Sequence, residues 1–78
     1  MVVAYVLLIV KPGEETNVSE KLKGMKEVKD ISVVYGEYDI IAKVEMENME
    51  GLQNFLIKEI RAMDEIERTS TMISLKWT

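Results

Sequence analysis

Residues 2–10, VVAYVLLIV, are apolar at every position, and no other stretch limits the possible folds so severely. Its β-branched and aromatic residues favour an extended strand, and successive side chains of a strand point to opposite faces. Val3, Tyr5, Leu7 and Ile9 occupy one side; Val2, Ala4, Val6, Leu8 and Val10 occupy the other. A strand that is apolar on both sides belongs inside a sheet that is covered on both. Pro12-Gly13 closes the run, as turn-forming breakers do. The run falls far short of the roughly 20 apolar residues that a spanning helix needs. It also lacks the basic n-region and small-residue cleavage site of a secretion signal, so a cytoplasmic location is the expectation.

The period then changes. In residues 14–24, Val18 and Leu22 recur at helical spacing, with Met25 just beyond, while Glu and Lys fill the other faces and Gly24 ends the helix. A second strand is expected over Val28–Tyr35, with Ile31, Val33 and Tyr35 alternating against Ser32 and Val34. A third follows over Asp39–Met46, with Ile40, Ala42, Val44 and Met46 on one face and Ile41, Lys43 and Glu45 on the other. Asn48 is a natural N-cap. It opens a second helix whose apolar stripe is Leu52, Phe55, Leu56, Ile60 and Met63. A fourth strand is expected over Arg68–Trp77, and Trp77 can either pack on the core or anchor a subunit contact.

The order strand, helix, strand, strand, helix, strand is the split βαβ arrangement of ferredoxin-like α+β folds. Residues 1–78 form a single domain, uninterrupted by any linker. Two helices cover only one face of such a four-stranded antiparallel sheet, whose central strands are the first and third. An exposed apolar sheet face marks an interaction surface, and a second copy packed sheet to sheet is the simplest cover. The side bearing Val2, Ala4, Val6, Leu8 and Val10 is assigned to this homodimer interface.

Composition narrows the chemistry. The chain has neither histidine nor cysteine, which removes the commonest general base, the commonest transition-metal ligands and any thiolate nucleophile. No catalytic residue, metal or cofactor is expected, and the chain is not expected to be an enzyme. The net charge of −4 is spread evenly, with five basic and seven acidic groups in each half. Phosphate recognition needs clustered Lys and Arg, so direct nucleic-acid binding is not expected.

The segment Tyr35-Gly36-Glu37-Tyr38-Asp39 admits two readings. It can be simply a hairpin turn, with Gly36 supplying a positive φ. It can also be one wall of a binding site. In this topology Thr69-Ser70-Thr71 lies across the sheet from it within one subunit, so a neighbouring subunit would supply that second wall. Backbone N–H groups and hydroxyls would then take an α-carboxylate, and Asp39 an α-ammonium.

The whole chain resembles the effector-binding (RAM) domain of the Lrp/AsnC, or feast/famine, transcription regulators. The matching pieces are residues 5–10 followed by Pro12-Gly13, then Val28 leading into Tyr35–Ile40, then Arg68-Thr69-Ser70-Thr71 and the alternation through Leu75. The Gly-x-Tyr-Asp turn is the most specific of them. The resemblance implies a ferredoxin-like domain that dimerises through its sheets, and dimers that assemble into octamers or decamers. It also implies a small-molecule effector, typically an amino acid, held between dimers. Carried over residue by residue, Gly36, Glu37, Tyr38 and Asp39 match the family's effector-side turn, and Thr69, Ser70 and Thr71 its polar strand start. Tyr35 and Val34 precede the turn and would help line the side-chain pocket.

Members of the family usually carry an N-terminal helix-turn-helix domain, whereas this chain begins at the first strand. A stand-alone effector domain is therefore implied, with a full-length regulator as a possible partner. A smaller departure is Asp64-Glu65, where the family more often turns with glycine. Two alternatives stay open: a dimeric ferredoxin-like barrel enzyme, such as a small oxygenase or isomerase, and an ACT-type amino-acid-binding domain. Glu14 after Pro12-Gly13 counts against the ACT reading, because ACT domains usually place an apolar residue there.

Overall fold

A computed structural model describes residues 1–75. Its elements are β1 (Val2–Val10), α1 (Glu15–Lys23), β2 (Val28–Val33), β3 (Ile40–Met46), α2 (Met49–Phe55), a π-helical turn (Leu56–Ile60) and β4 (Ile66–Ile73). The four strands form one antiparallel sheet in the order β2-β3-β1-β4. This is the expected ferredoxin-like arrangement, with β1 and β3 in the centre. Several boundaries differ from expectation; β3 begins at Ile40 instead of Asp39, and β4 ends at Ile73. β2 stops at Val33, leaving Tyr35 fully exposed in the turn, and β4 begins two residues early, at Ile66. The expectations placed on Lys76 and Trp77 lie outside the described residues.

The core identifies the covered face. Ala4, Val6, Leu8 and Val10 of β1 pack with Ile40, Ala42 and Val44 of β3, Val18 and Leu22 of α1, Leu52 and Phe55 of α2, and Ile60. The assignment of Val2, Ala4, Val6, Leu8 and Val10 to a dimer interface is therefore corrected. Ala4, Val6 and Leu8 are wholly buried within one chain, Val10 is almost so, and Val2 packs partly against the same cluster. An all-apolar strand carries no signal of which side meets the helices. Its neighbour does: Ile40, Ala42 and Val44 stand opposite Leu8, Val6 and Ala4, and directly paired residues share a face.

The open face therefore carries Val3, Tyr5, Leu7 and Ile9. Ile41, Lys43 and Glu45 of β3 flank them on one side, and Arg68, Ser70 and Met72 of β4 on the other. Tyr5 and Met72 are 39% and 55% exposed, which a lone globular domain seldom permits for two large apolar residues beside an apolar strip.

Tight turns and caps bound the elements. The Glu14 N–H donates to the Lys11 carbonyl at 3.0 Å across Pro12-Gly13, and Gly13 takes φ 85°. Pro at the second position and a positive φ at the third make this a type II turn. At the other helix, the Asn48 side chain accepts from the Gly51 N–H at 2.8 Å, the expected N-cap. The last turn of that helix widens, with the Arg61 N–H donating to the Leu56 carbonyl at 2.8 Å. No helix among the described residues is long and apolar enough to cross a membrane.

Candidate functional site

The turn between β2 and β3 hangs at the end of the sheet where β1 finishes, and Asp39 holds it there. The Val34 N–H donates to the Asp39 carbonyl and the Asp39 N–H to the Leu8 carbonyl, both at 2.8 Å. The Asp39 carboxylate accepts from the Val10 N–H at 2.9 Å through Oδ2. Asp39 and Tyr38 are half-buried, whereas Tyr35, Gly36 and Glu37 are exposed. Gly36 has φ 158°, at the outer edge of the positive range, and open space where a Cβ would stand.

β4 starts at the same end. Arg68 pairs with Ile9 across β1–β4, and the register slips between Ile9 and Val10 so that Val10 meets Ile66. Arg68 thereby faces the open side beside the turn. Ile9, Glu37, Tyr38 and Arg68 line one depression of about 280 Å³. Among the described residues, neither Arg68 nor Glu37 belongs to an ion pair. A free guanidinium, a free carboxylate, an aromatic ring and an apolar floor thus share one concave surface. That set can hold a small molecule carrying both charges, since Arg offers a bidentate fork to a carboxylate and Glu accepts from an ammonium.

The expected site residues divide. Glu37 and Tyr38 line this depression, Asp39 underpins it, and Tyr35 and Gly36 project from the turn. Of the start of β4, Arg68 meets the turn within one subunit, because β1 ends between them. The three hydroxyl residues nevertheless face two ways. Ser70 pairs with Leu7 on the open face. Thr69 and Thr71 look to the helix side, where they line a cleft of about 190 Å³ with Gln53, Leu56, Ile57 and Arg61. Arg68 has no assigned role in the sequence reading. Its signal there is parity: a strand start opposite the end of β1 puts one of the chain's two arginines on the face of Ile9.

The loop into β4 is tied down by Glu65. The Glu65 carbonyl accepts from the Lys11 N–H at 2.8 Å. Its carboxylate accepts from Asn17 Nδ2 at 3.2 Å and from the Lys21 ammonium. The Lys21 hydrogen bond, more than any other influence, holds the Glu65 carboxyl below its ordinary value.

With this geometry in hand, the relatives are informative. The sequence profile described as the Lrp/AsnC ligand binding domain matches residues 3–77. The HTH-type transcriptional regulator FL11 of Pyrococcus furiosus is 35% identical over 75 residues, which cover 96% of this chain and 49% of that protein. Among solved structures, FFRP-DM1 is 49% identical with a TM-score of 0.95, covering 96% of this chain and 100% of that one. AsnC of Escherichia coli is 32% identical with a TM-score of 0.91, covering 96% of this chain and 51% of that one. The chain spans about half the length of the curated relatives it matches.

Proposed function

The chain belongs to the Lrp/AsnC ligand-binding domain family, and from that premise we propose that it is a non-enzymatic sensor of a small zwitterion, an amino acid, acting through its state of assembly. The observation that carries this reading is the depression where Arg68 and Glu37, neither in an ion pair among the described residues, flank Ile9 and Tyr38. Arg68 takes the α-carboxylate, Glu37 the α-ammonium, and Ile9 and Tyr38 meet the side chain. The curated relatives are transcription regulators, which agrees with a role in sensing rather than turnover.

Two copies join through the open face of Val3, Tyr5 and Leu7, in place of the face assigned from sequence, and Ile9 at the end of that strip stays in the depression. Dimers then associate further, and Thr69–Thr71 of a neighbouring subunit complete the site. A full-length regulator of the family is a fitting partner for a mixed assembly. Ligand bound only by the assembled form stabilises it by RT ln(1 + [L]/Kd), about 2.7 kcal/mol when ligand is at a hundred times Kd.

Thermal unfolding of the wild type, Arg68→Ala and Glu37→Gln with each of the twenty L-amino acids tests the proposal. The expected result is a raised melting temperature for one amino acid or a few, lost in both variants. No response from the wild type to any of the twenty would sink the amino-acid reading. A response that survives both substitutions would move the site elsewhere.

A further inference from the structure

We infer that Asp39 is a positioning residue of this depression, and not the group that binds the ligand's ammonium. Paired residues of β1 and β3 run from Val2↔Met46 to Leu8↔Ile40, and there the ladder ends. Val10 lies two residues further along β1, with its side chain at the edge of the core. On its other flank the pairing with β4 slips at this residue. Its N–H is left part-buried where no further residue of β3 stands opposite, and a donor withdrawn from water without an acceptor is costly. Asp39 Oδ2 fills the position at 2.9 Å. The carboxylate in effect adds one more rung to the ladder, with a charge-assisted bond that exceeds a neutral one in strength.

The same residue ties down three places through three different atoms. Its carbonyl takes the Val34 N–H on the β2 side, its N–H donates to the Leu8 carbonyl, and its side chain reaches Val10. The turn is thereby closed on itself and fastened to β1 on either side of Ile9. Glu37 and Tyr38, the two residues before Asp39, line the depression with Ile9, and Arg68 stands opposite Ile9 on the other strand. The separation between Glu37 and Arg68 is therefore set from the Asp39–Val10 contact. One carboxylate oxygen is committed to the fold, and the unpaired Glu37 is left as the acceptor that a ligand meets. This role rests on the proposed reading of the depression as the effector site, whereas the hydrogen bond beneath it does not.

The two can be tested apart. In the wild type, through-bond coupling between the Val10 amide nitrogen and the Asp39 carboxyl carbon reports the hydrogen bond without any substitution. Asparagine keeps an acceptor oxygen and loses the charge. Amide exchange at Val10 should quicken by at least about tenfold in Asp39→Ala and stay within about threefold of the wild type in Asp39→Asn. Whichever of the twenty L-amino acids raises the wild-type melting temperature should still raise that of Asp39→Asn.

Absent coupling, or equal Val10 exchange in all three proteins, would overturn the inference. So would an Asp39→Asn protein that keeps Val10 protected yet loses the ligand response, because the charge itself would then be the contact. A wild type that answers to no amino acid defeats the proposed function alone, and the Val10 measurements still decide the role of Asp39.

Discussion

Lys21 in α1 and Glu65 in the loop before β4 join through a hydrogen-bonded ion pair across 44 residues of sequence. The bond lowers the Glu65 carboxyl from its ordinary value of 4.5. A carboxyl depressed on folding contributes stability that is present above its unfolded value and lost as pH falls through its folded value. Glu65→Gln should thus have a lower urea midpoint than the wild type at pH 7, and the two midpoints should converge in acid below 4.5. Because both groups reach solvent, the difference should be small and should shrink in high salt. Lys21→Met should mimic Glu65→Gln, and a gap that widens on acidification would contradict this account.

Gly13 holds φ 85° in the Lys11–Glu14 turn with open space around its Cα, so backbone conformation alone decides what a side chain costs there. Gly13→Ala should lose about 1–2 kcal/mol, the penalty of an L-residue in the left-handed region. For a domain this small, that is a fall of about 4–16 °C in melting temperature. Gly13→Asn should lose less, because asparagine tolerates that conformation better. An alanine variant as stable as the wild type would show that the turn can refold into another type.

How much of this was legible depended on the kind of signal. Element order came through because each strand and helix carries its own period, and Pro12-Gly13 and Asn48 mark boundaries by known chemistry. The two-sided apolarity of β1 predicts a cover on each side, yet β1 is silent on which side the helices take. β3 resolves it, since Lys43 and Glu45 can only belong to the less buried side. The π-helical turn left no trace because Leu52, Phe55, Leu56, Ile60 and Met63 suit an ordinary helix equally well. At the site, Tyr38 and Asp39 stood out as residues that a turn does not require, while Arg68 was invisible until register placed it beside Ile9. The slip at Ile9/Val10 and the carboxylate that fills it are tertiary facts with no local signature.

The first turn of α2 rests on one side chain, because the Asn48 amide oxygen accepts from the Gly51 N–H and no other side-chain cap supports that end. Asn48→Ala should cost about 1 kcal/mol, within the range of 0.5–2 measured for such caps. Asn48→Asp should keep the bond and add a favourable charge at the helix N-terminus. Chemical unfolding of the three proteins should rank aspartate at or above asparagine, and alanine below both. The ordering would fail if the helix drew its start from packing of Leu52 alone.

Leu7 and Leu8 are neighbours in sequence that should answer to different experiments, since they point to opposite faces of β1. Leu8 is wholly buried against the helices, so Leu8→Ala should cost about 2–5 kcal/mol of unfolding free energy in any state of assembly. Leu7 lies on the open face, paired with Ile41 on one side and Ser70 on the other. Leu7→Glu leaves the intrachain core untouched but would put an unpaired carboxylate between two packed sheets, a burial that costs several kcal/mol. If the open faces pair, Leu7→Glu should weaken the dimer by at least about a hundredfold, each tenfold being about 1.4 kcal/mol. Sedimentation should then find monomers with the circular dichroism of a folded α+β chain. A Leu7→Glu protein of unchanged mass would show that the copies meet elsewhere, and a Leu8→Ala protein of unchanged stability would reverse the two faces altogether.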